Sequence, residues 1–82
     1  MEMFRTLDIR GLSFSSAFQL ASKEFRRIKN NGILELIVDK KRDFTDAFSE
    51  WAKKQGCKIS DIENDHSMIR LFIQKNSRTM KV

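Results

Sequence analysis

At 82 residues and 9.7 kDa the chain has room for one small domain, which excludes paired catalytic lobes, a dinucleotide-binding unit of standard length and a membrane-spanning bundle. Apolar residues make up 40% and charged residues 33%, with seven Phe, one Trp and no Pro, so the chain carries enough hydrophobic mass to order itself. Sixteen Lys and Arg against eleven Asp and Glu give a net charge of +5, an excess that attracts RNA, acidic protein surfaces or anionic lipid without choosing among them.

The longest apolar stretch, residues 33–38, is interrupted by Glu35 and falls far short of the roughly 20 residues that cross a bilayer, so no membrane helix is expected. Glu2, Arg5, Asp8 and Arg10 break up the N-terminal segment, unlike a secretory leader. A lone cysteine, Cys57, cannot form an internal disulfide, and with a lone histidine, His66, it leaves too few ligands for a structural zinc site. A reducing cytoplasm is the expected setting, with no metal and no cofactor.

In chain order, residues 4–9 alternate apolar and polar and predict a first strand, somewhat irregular because Phe4, Leu7 and Ile9 do not share one parity. Gly11 supplies a turn. From Phe14 the apolar residues fall at 14, 17, 18, 21, 25 and 28, the 3.6-residue period of one helical face. Ser13, Ser15 and Ser16 mark the start of that helix as hydroxyls able to accept from unpaired amides. Arg26, Arg27 and Lys29, followed by Asn30-Asn31-Gly32, mark its end. Residues 33–38 are β-branched and nearly continuously apolar, which predicts a central strand.

After the polar loop Asp39-Lys40-Lys41-Arg42, the spacing of Phe44, Ala47, Phe48, Trp51 and Ala52 predicts a second amphipathic helix. Asp43, Thr45 and Asp46 fall in its first turn, Lys53 and Lys54 in its last, and Gly56 stops it, all with the sign that the helix dipole favours. Residues 58–63 and 68–74 read as two short strands around the turn cluster Asn64-Asp65-His66-Ser67. The order is βαβαββ, and the expected fold is α+β: a two-layer α/β sandwich with a mixed four-stranded sheet and both helices on one face. Residues 1–75 are expected to form the domain and 76–82 a flexible C-terminal tail.

The run Leu7-Asp8-Ile9-Arg10-Gly11-Leu12, a strand ending in L-D-x-R-G-L just ahead of a helix, resembles the opening of the TusA/SirA (YedF-like) sulfur-carrier family. The remaining landmarks of that family are also similar: Gly32, the apolar strand 33–39 ending in Asp39, Gln55-Gly56-Cys57 closing the second helix, and Leu71-Phe72-Ile73-Gln74-Lys75 in the last strand. The resemblance covers residues 6–75, with a one-residue insertion in the second helix. It implies a carrier whose C-P-x-P cysteine, directly after R-G-L-x, holds a persulfide at the start of the first helix. Here the four positions are Phe14-Ser15-Ser16-Ala17, and neither a phenyl ring nor a serine hydroxyl can hold a sulfane sulfur.

Each candidate has a plainer reading beside the functional one. Phe14 is either a packing residue or an exposed hydrophobic anchor; its period with Ala17, Phe18 and Ala21 favours packing, and exposure would reverse that. The serines read as helix caps, since a nucleophilic serine needs a base and His66 belongs to a distant turn. Cys57 lies at a helix C-terminus, the end that does not activate a thiol, although Lys53, Lys54 and Lys58 nearby favour the thiolate; an incidental role is the simpler one. Lys40, Lys41 and Arg42 form the main candidate RNA contact, against the plainer reading of a solvated basic loop.

The expected function is a family member without the acceptor cysteine that works as a non-catalytic protein-binding or regulatory module in a sulfur-relay or tRNA-thiolation pathway. Its partner surface is expected around Arg10, Gly11, Phe14, Ser15 and Phe18. Two alternatives stay open: a sulfurtransferase using Cys57 or a partner's thiol, and a small RNA-binding domain for tRNA or another RNA.

Overall fold

The computed structural model describes residues 2–75, so the expected tail at 76–82 lies outside the described residues. The elements follow one another as β1 (Glu2–Asp8), α1 (Phe14–Arg27), β2 (Ile28–Asp39), α2 (Thr45–Lys54), β3 (Lys58–Asn64) and β4 (Met68–Gln74). The strands form one mixed sheet in the order β1-β2-β4-β3, with β1 parallel to β2 and the other two pairings antiparallel. This is the βαβαββ arrangement that the periodicities predict.

Register decides which face is covered. Leu34, Leu36 and Val38 of β2 stand opposite Ile73, Leu71 and Ile69 of β4. All six are buried, together with Ala17, Ala21 and Phe25 of α1 and Phe48 and Ala52 of α2. Both helices therefore pack on that one face, and the small Ala residues let α1 lie close to the strands. Side chains of opposite parity, including Phe4, Ile33, Ile37 and Phe72, point to the uncovered face. Phe4 is 51% exposed there, so β1 sends Leu7 and Ile9 inward and Phe4 outward.

The uncovered face also carries Glu35, only 6% exposed at the centre of the sheet. A carboxylate there is tolerable because both oxygens are satisfied: Thr6 Oγ1 donates to Oε1 at 2.8 Å and Arg70 Nη1 to Oε2 at 2.9 Å. The residue that interrupts the apolar run in sequence thus joins β1, β2 and β4 across the sheet.

The second strand differs from its sequence-based bounds. It begins at Ile28 and not at Ile33, so α1 passes into β2 without a connecting loop, and Ile28 stands opposite Glu2 at the start of β1. Asn31 takes a left-handed φ of 70°, a conformation asparagine tolerates, and produces the irregularity in the ladder. At Gly32 a Cβ would meet Ile28 Cγ2 at 2.5 Å and the carbonyl oxygens of Lys29 and Met3 at 2.8 Å each. Close backbone approach, and not a turn, is what requires glycine there.

The open C-terminal turn of α1 is closed from the far end of the chain. Lys75 Nζ donates to the carbonyls of Phe25 at 3.2 Å and Ile28 at 2.9 Å, and the ammonium lies 5.3 Å from the Phe25 ring centroid. Removing the donor while keeping the stem, as in Lys75→Met, is expected to cost about 1–2 kcal/mol, read as a lower denaturation midpoint at unchanged slope.

Candidate functional site: the loop end of the parallel strands

The C-terminal ends of β1 and β2 lie side by side, with Asp8 opposite Ile37, so the loops that follow them emerge at one end of the sheet. Both helices begin at that end. The first loop is a tight turn: Leu12 N–H donates to Ile9 C=O at 3.3 Å, and Gly11 sits at the third position with φ 81°, which a side chain would oppose. Gly11 N–H donates to Asp39 Oδ2 at 2.9 Å, tying this turn to the end of β2.

Arg10 is folded back onto Asp8 and not extended into solvent. Its Nε and Nη2 reach the two carboxylate oxygens at 2.9 and 2.7 Å, and its backbone N–H adds a third bond at 3.1 Å. Its Nη1 reaches the Met68 sulfur at 3.9 Å, across to β4. The hydrogen bond from the Arg10 guanidinium holds the Asp8 carboxyl below its usual range, against the opposing effect of burial, and the bond to Asp8 in turn raises Arg10. The sign follows: a carboxyl depressed in the folded state adds stability above the ordinary carboxylate pKa and loses it as pH falls through the depressed value. Arg10→Gln should lower the unfolding midpoint at neutral pH, with the gap to the native chain closing below about pH 4. Thermal melts across pH check this.

The second loop converges on the first. Arg42 Nη1 donates to Leu12 C=O at 3.3 Å, and Lys40 N–H to Ser67 C=O at 3.4 Å. Lys40, Lys41 and Arg42 are all exposed, so the candidate RNA cluster and the candidate protein-docking loop share one end of the molecule. Lys53 and Lys54 end α2 at the other end, as expected, so these two basic groups lie apart. His66 is exposed in the β3–β4 turn, where its backbone N–H donates to Asp65 Oδ1. Among the described residues no group of His, Cys, Asp and Glu could hold a metal ion.

The helix starts show how the serines and Asp43 are used. Ser13 caps α1, its Oγ accepting from Ser16 N–H at 3.2 Å, while Ser15 is exposed. Asp43 precedes α2 and accepts from the N–H of Thr45 at 2.9 Å and from its hydroxyl. Phe14 opens α1 and is 40% exposed, yet its ring lies 5.1 Å from Phe44, 5.6 Å from Phe18 and 5.9 Å from Phe48. The packing expected of Phe14 is present, and the ring is also open on one side: part of it belongs to an aromatic cluster and part faces solvent.

Cys57 lies beyond the C-terminus of α2, at the end of the fold away from Phe14. It is half-buried, and its thiol donates weakly to Gln55 C=O at 3.7 Å. Neither the Glu35 bridge nor the convergence of the Lys40 loop on the Gly11 turn is legible locally, since each joins residues about thirty positions apart.

The sequence matches the family model described as Sulfurtransferase TusA over residues 5–75. The chain belongs to the TusA sulfurtransferase family. A comparison with curated proteins finds no match. The TusA match spans every described element, from within β1 through β4, and the family works in sulfur relay with protein partners. On this fold Arg10 and Gly11 lie in the latched turn, and Phe14 is the first residue of α1. Among the described residues no helix is long and apolar enough to cross a membrane.

Proposed function

We propose that this TusA-family domain has exchanged sulfur acceptance for docking, and that it acts as a non-catalytic binding or regulatory module on a protein of a sulfur-relay or tRNA-thiolation pathway. The observation that carries the reading is Phe14: at the family's acceptor position stands a ring 40% exposed above an aromatic cluster, with no thiol beside it among the described residues. The turn that presents it is intact, latched by Asp8 and Asp39, so a surface for a relay partner remains around Arg10, Gly11, Phe14, Ser15 and Phe18. Cys57 is poorly placed to substitute. Ten helical residues of α2, about 15 Å of rise, separate it from the Phe14 end.

Incubation with a cysteine desulfurase and labelled cysteine, followed by intact mass measurement, is the test. The native chain should emerge without added sulfur while a co-incubated desulfurase carries its own persulfide. Sulfur on Cys57 that moves on to a second acceptor would overturn the docking reading in favour of a carrier. The placement of Lys40, Lys41 and Arg42 beside the same turn favours one second reading, RNA binding. Affinity capture separates the two: relay enzymes retained after ribonuclease treatment support the protein partner, and capture abolished by ribonuclease supports RNA.

A further inference from the structure

Below Phe14 the two helices leave a groove between them. On α1 the stripe Phe14, Phe18, Ser22, Arg26 repeats every four residues; across from it are Phe48 and Trp51 of α2 with the residues that flank that helix, Phe44 and Gln55. Cross-groove ring contacts hold the floor together: Phe14 to Phe44 at 5.1 Å, Phe18 to Trp51 at 5.9 Å and Phe25 to Trp51 at 5.1 Å. Two hollows adjoin here. One, of about 260 Å³, lies between the helices and is lined by Phe18, Ser22, Phe25, Arg26, Trp51 and Gln55. The other, of about 430 Å³, lies beside it on α1 alone, sharing Phe18, Ser22 and Arg26 and adding Gln19 and Lys23.

The groove is polarised. Its head is aromatic, its middle is aromatic with a serine and two amides, and its foot carries two cations. Among the described residues no carboxylate lines either hollow, and neither Lys23 nor Arg26 has an ion-pair partner. From Phe14 to Arg26 the stripe spans 12 residues, about 18 Å of helix. That is the length of a three-turn amphipathic segment.

We propose that this groove docks an acidic amphipathic helix of a partner protein, its apolar face on Phe18 and Trp51 and its carboxylates against Lys23 and Arg26. The proposal deepens the docking reading by naming the partner's chemistry. The apolar floor supplies the buried contact, and the unpaired cations at the foot select charge and direction along the groove. A basic or neutral segment would meet Arg26 without compensation, so the groove discriminates by sign.

A displayed library of random dodecapeptides, selected on the native chain, tests this without knowledge of the natural partner. The selected peptides should be rich in Asp and Glu with apolar residues at i, i+3 or i+4, and their binding should shift the emission of Trp51, the one tryptophan in the chain. Binding should weaken about tenfold or more in the Lys23→Glu/Arg26→Glu variant. A smaller loss is expected in Lys23→Gln/Arg26→Gln, which leaves the end of α1 free of new acid. Failure of selection, peptides without acidic bias, or binding indifferent to Lys23 and Arg26 would each overturn the proposal. The result is independent of sulfur loading, so a chain that accepted sulfur on Cys57 would sink the docking-only reading and leave the groove to be judged by its peptides.

Discussion

Phe48→Ala should lower the stability of this domain by about 3–5 kcal/mol, the range for deleting a fully buried aromatic ring from a core that cannot collapse onto the space. Phe48 has no exposed surface and lies at the point where both helices meet the sheet. Its ring is 5.9 Å from Phe14, 6.2 Å from Phe18 and 6.2 Å from Trp51, so its loss removes a shared neighbour from three aromatic partners. Small domains hold about 5–15 kcal/mol in total, so this loss removes a large part of the margin. Urea unfolding followed by Trp51 fluorescence should show the midpoint falling by roughly a fifth or more at a similar slope. A loss below about 1 kcal/mol would mean that the aromatic cluster repacks and that its order does not hold the groove.

The second large effect is a gain. Phe14→Cys should make the chain accept sulfur from a cysteine desulfurase, an all-or-none change from the unlabelled native protein. The substituted thiol would sit at the first residue of α1, where the helix dipole favours the thiolate, beside the turn that Asp39 holds through Gly11. Where the resemblance would set prolines this chain has Ser15 and Ala17, and helix entry is fixed by the Ser13 cap. Intact mass after incubation with labelled cysteine reads the result, with Phe14→Ser as the control that removes the ring and supplies no thiol. A folded Phe14→Cys chain that stayed unlabelled would show that the donor-docking surface has been lost along with the acceptor.

Helix positions and faces were legible because each follows from local chemistry. Ser13 is a capping hydroxyl, Phe14 to Phe25 keep the helical period, and Phe44 to Ala52 repeat it, so both elements appear where the spacing puts them. The junction after α1 was not legible, and the reason is specific. Ile28 satisfies the helical period and also stands in the ladder opposite Glu2, and only the long-range pairing with β1 decides between them. Phe14 shows the opposite limit: periodicity correctly gives it packing partners, but it cannot say how much of the ring those partners leave open. Glu35 reads as a blemish in an apolar strand until Thr6 and Arg70 are brought to it from two other strands. The candidate site shares that property. Its parts, Arg10, Gly11, Asp39 and Arg42, sit in two loops that meet because β1 and β2 are parallel, a relation between strands that no local window contains.

The parallel pairing also fixes where the chain can be held. Glu2 stands opposite Ile28 and Lys75 exchanges backbone bonds with Asn31 and Gly32, so both ends of the described chain leave the sheet together, on the side away from the Arg10 turn. The described chain is thus entered and left at the end opposite Phe14, and the latched turn and the aromatic head of the groove stand clear of both crossing points.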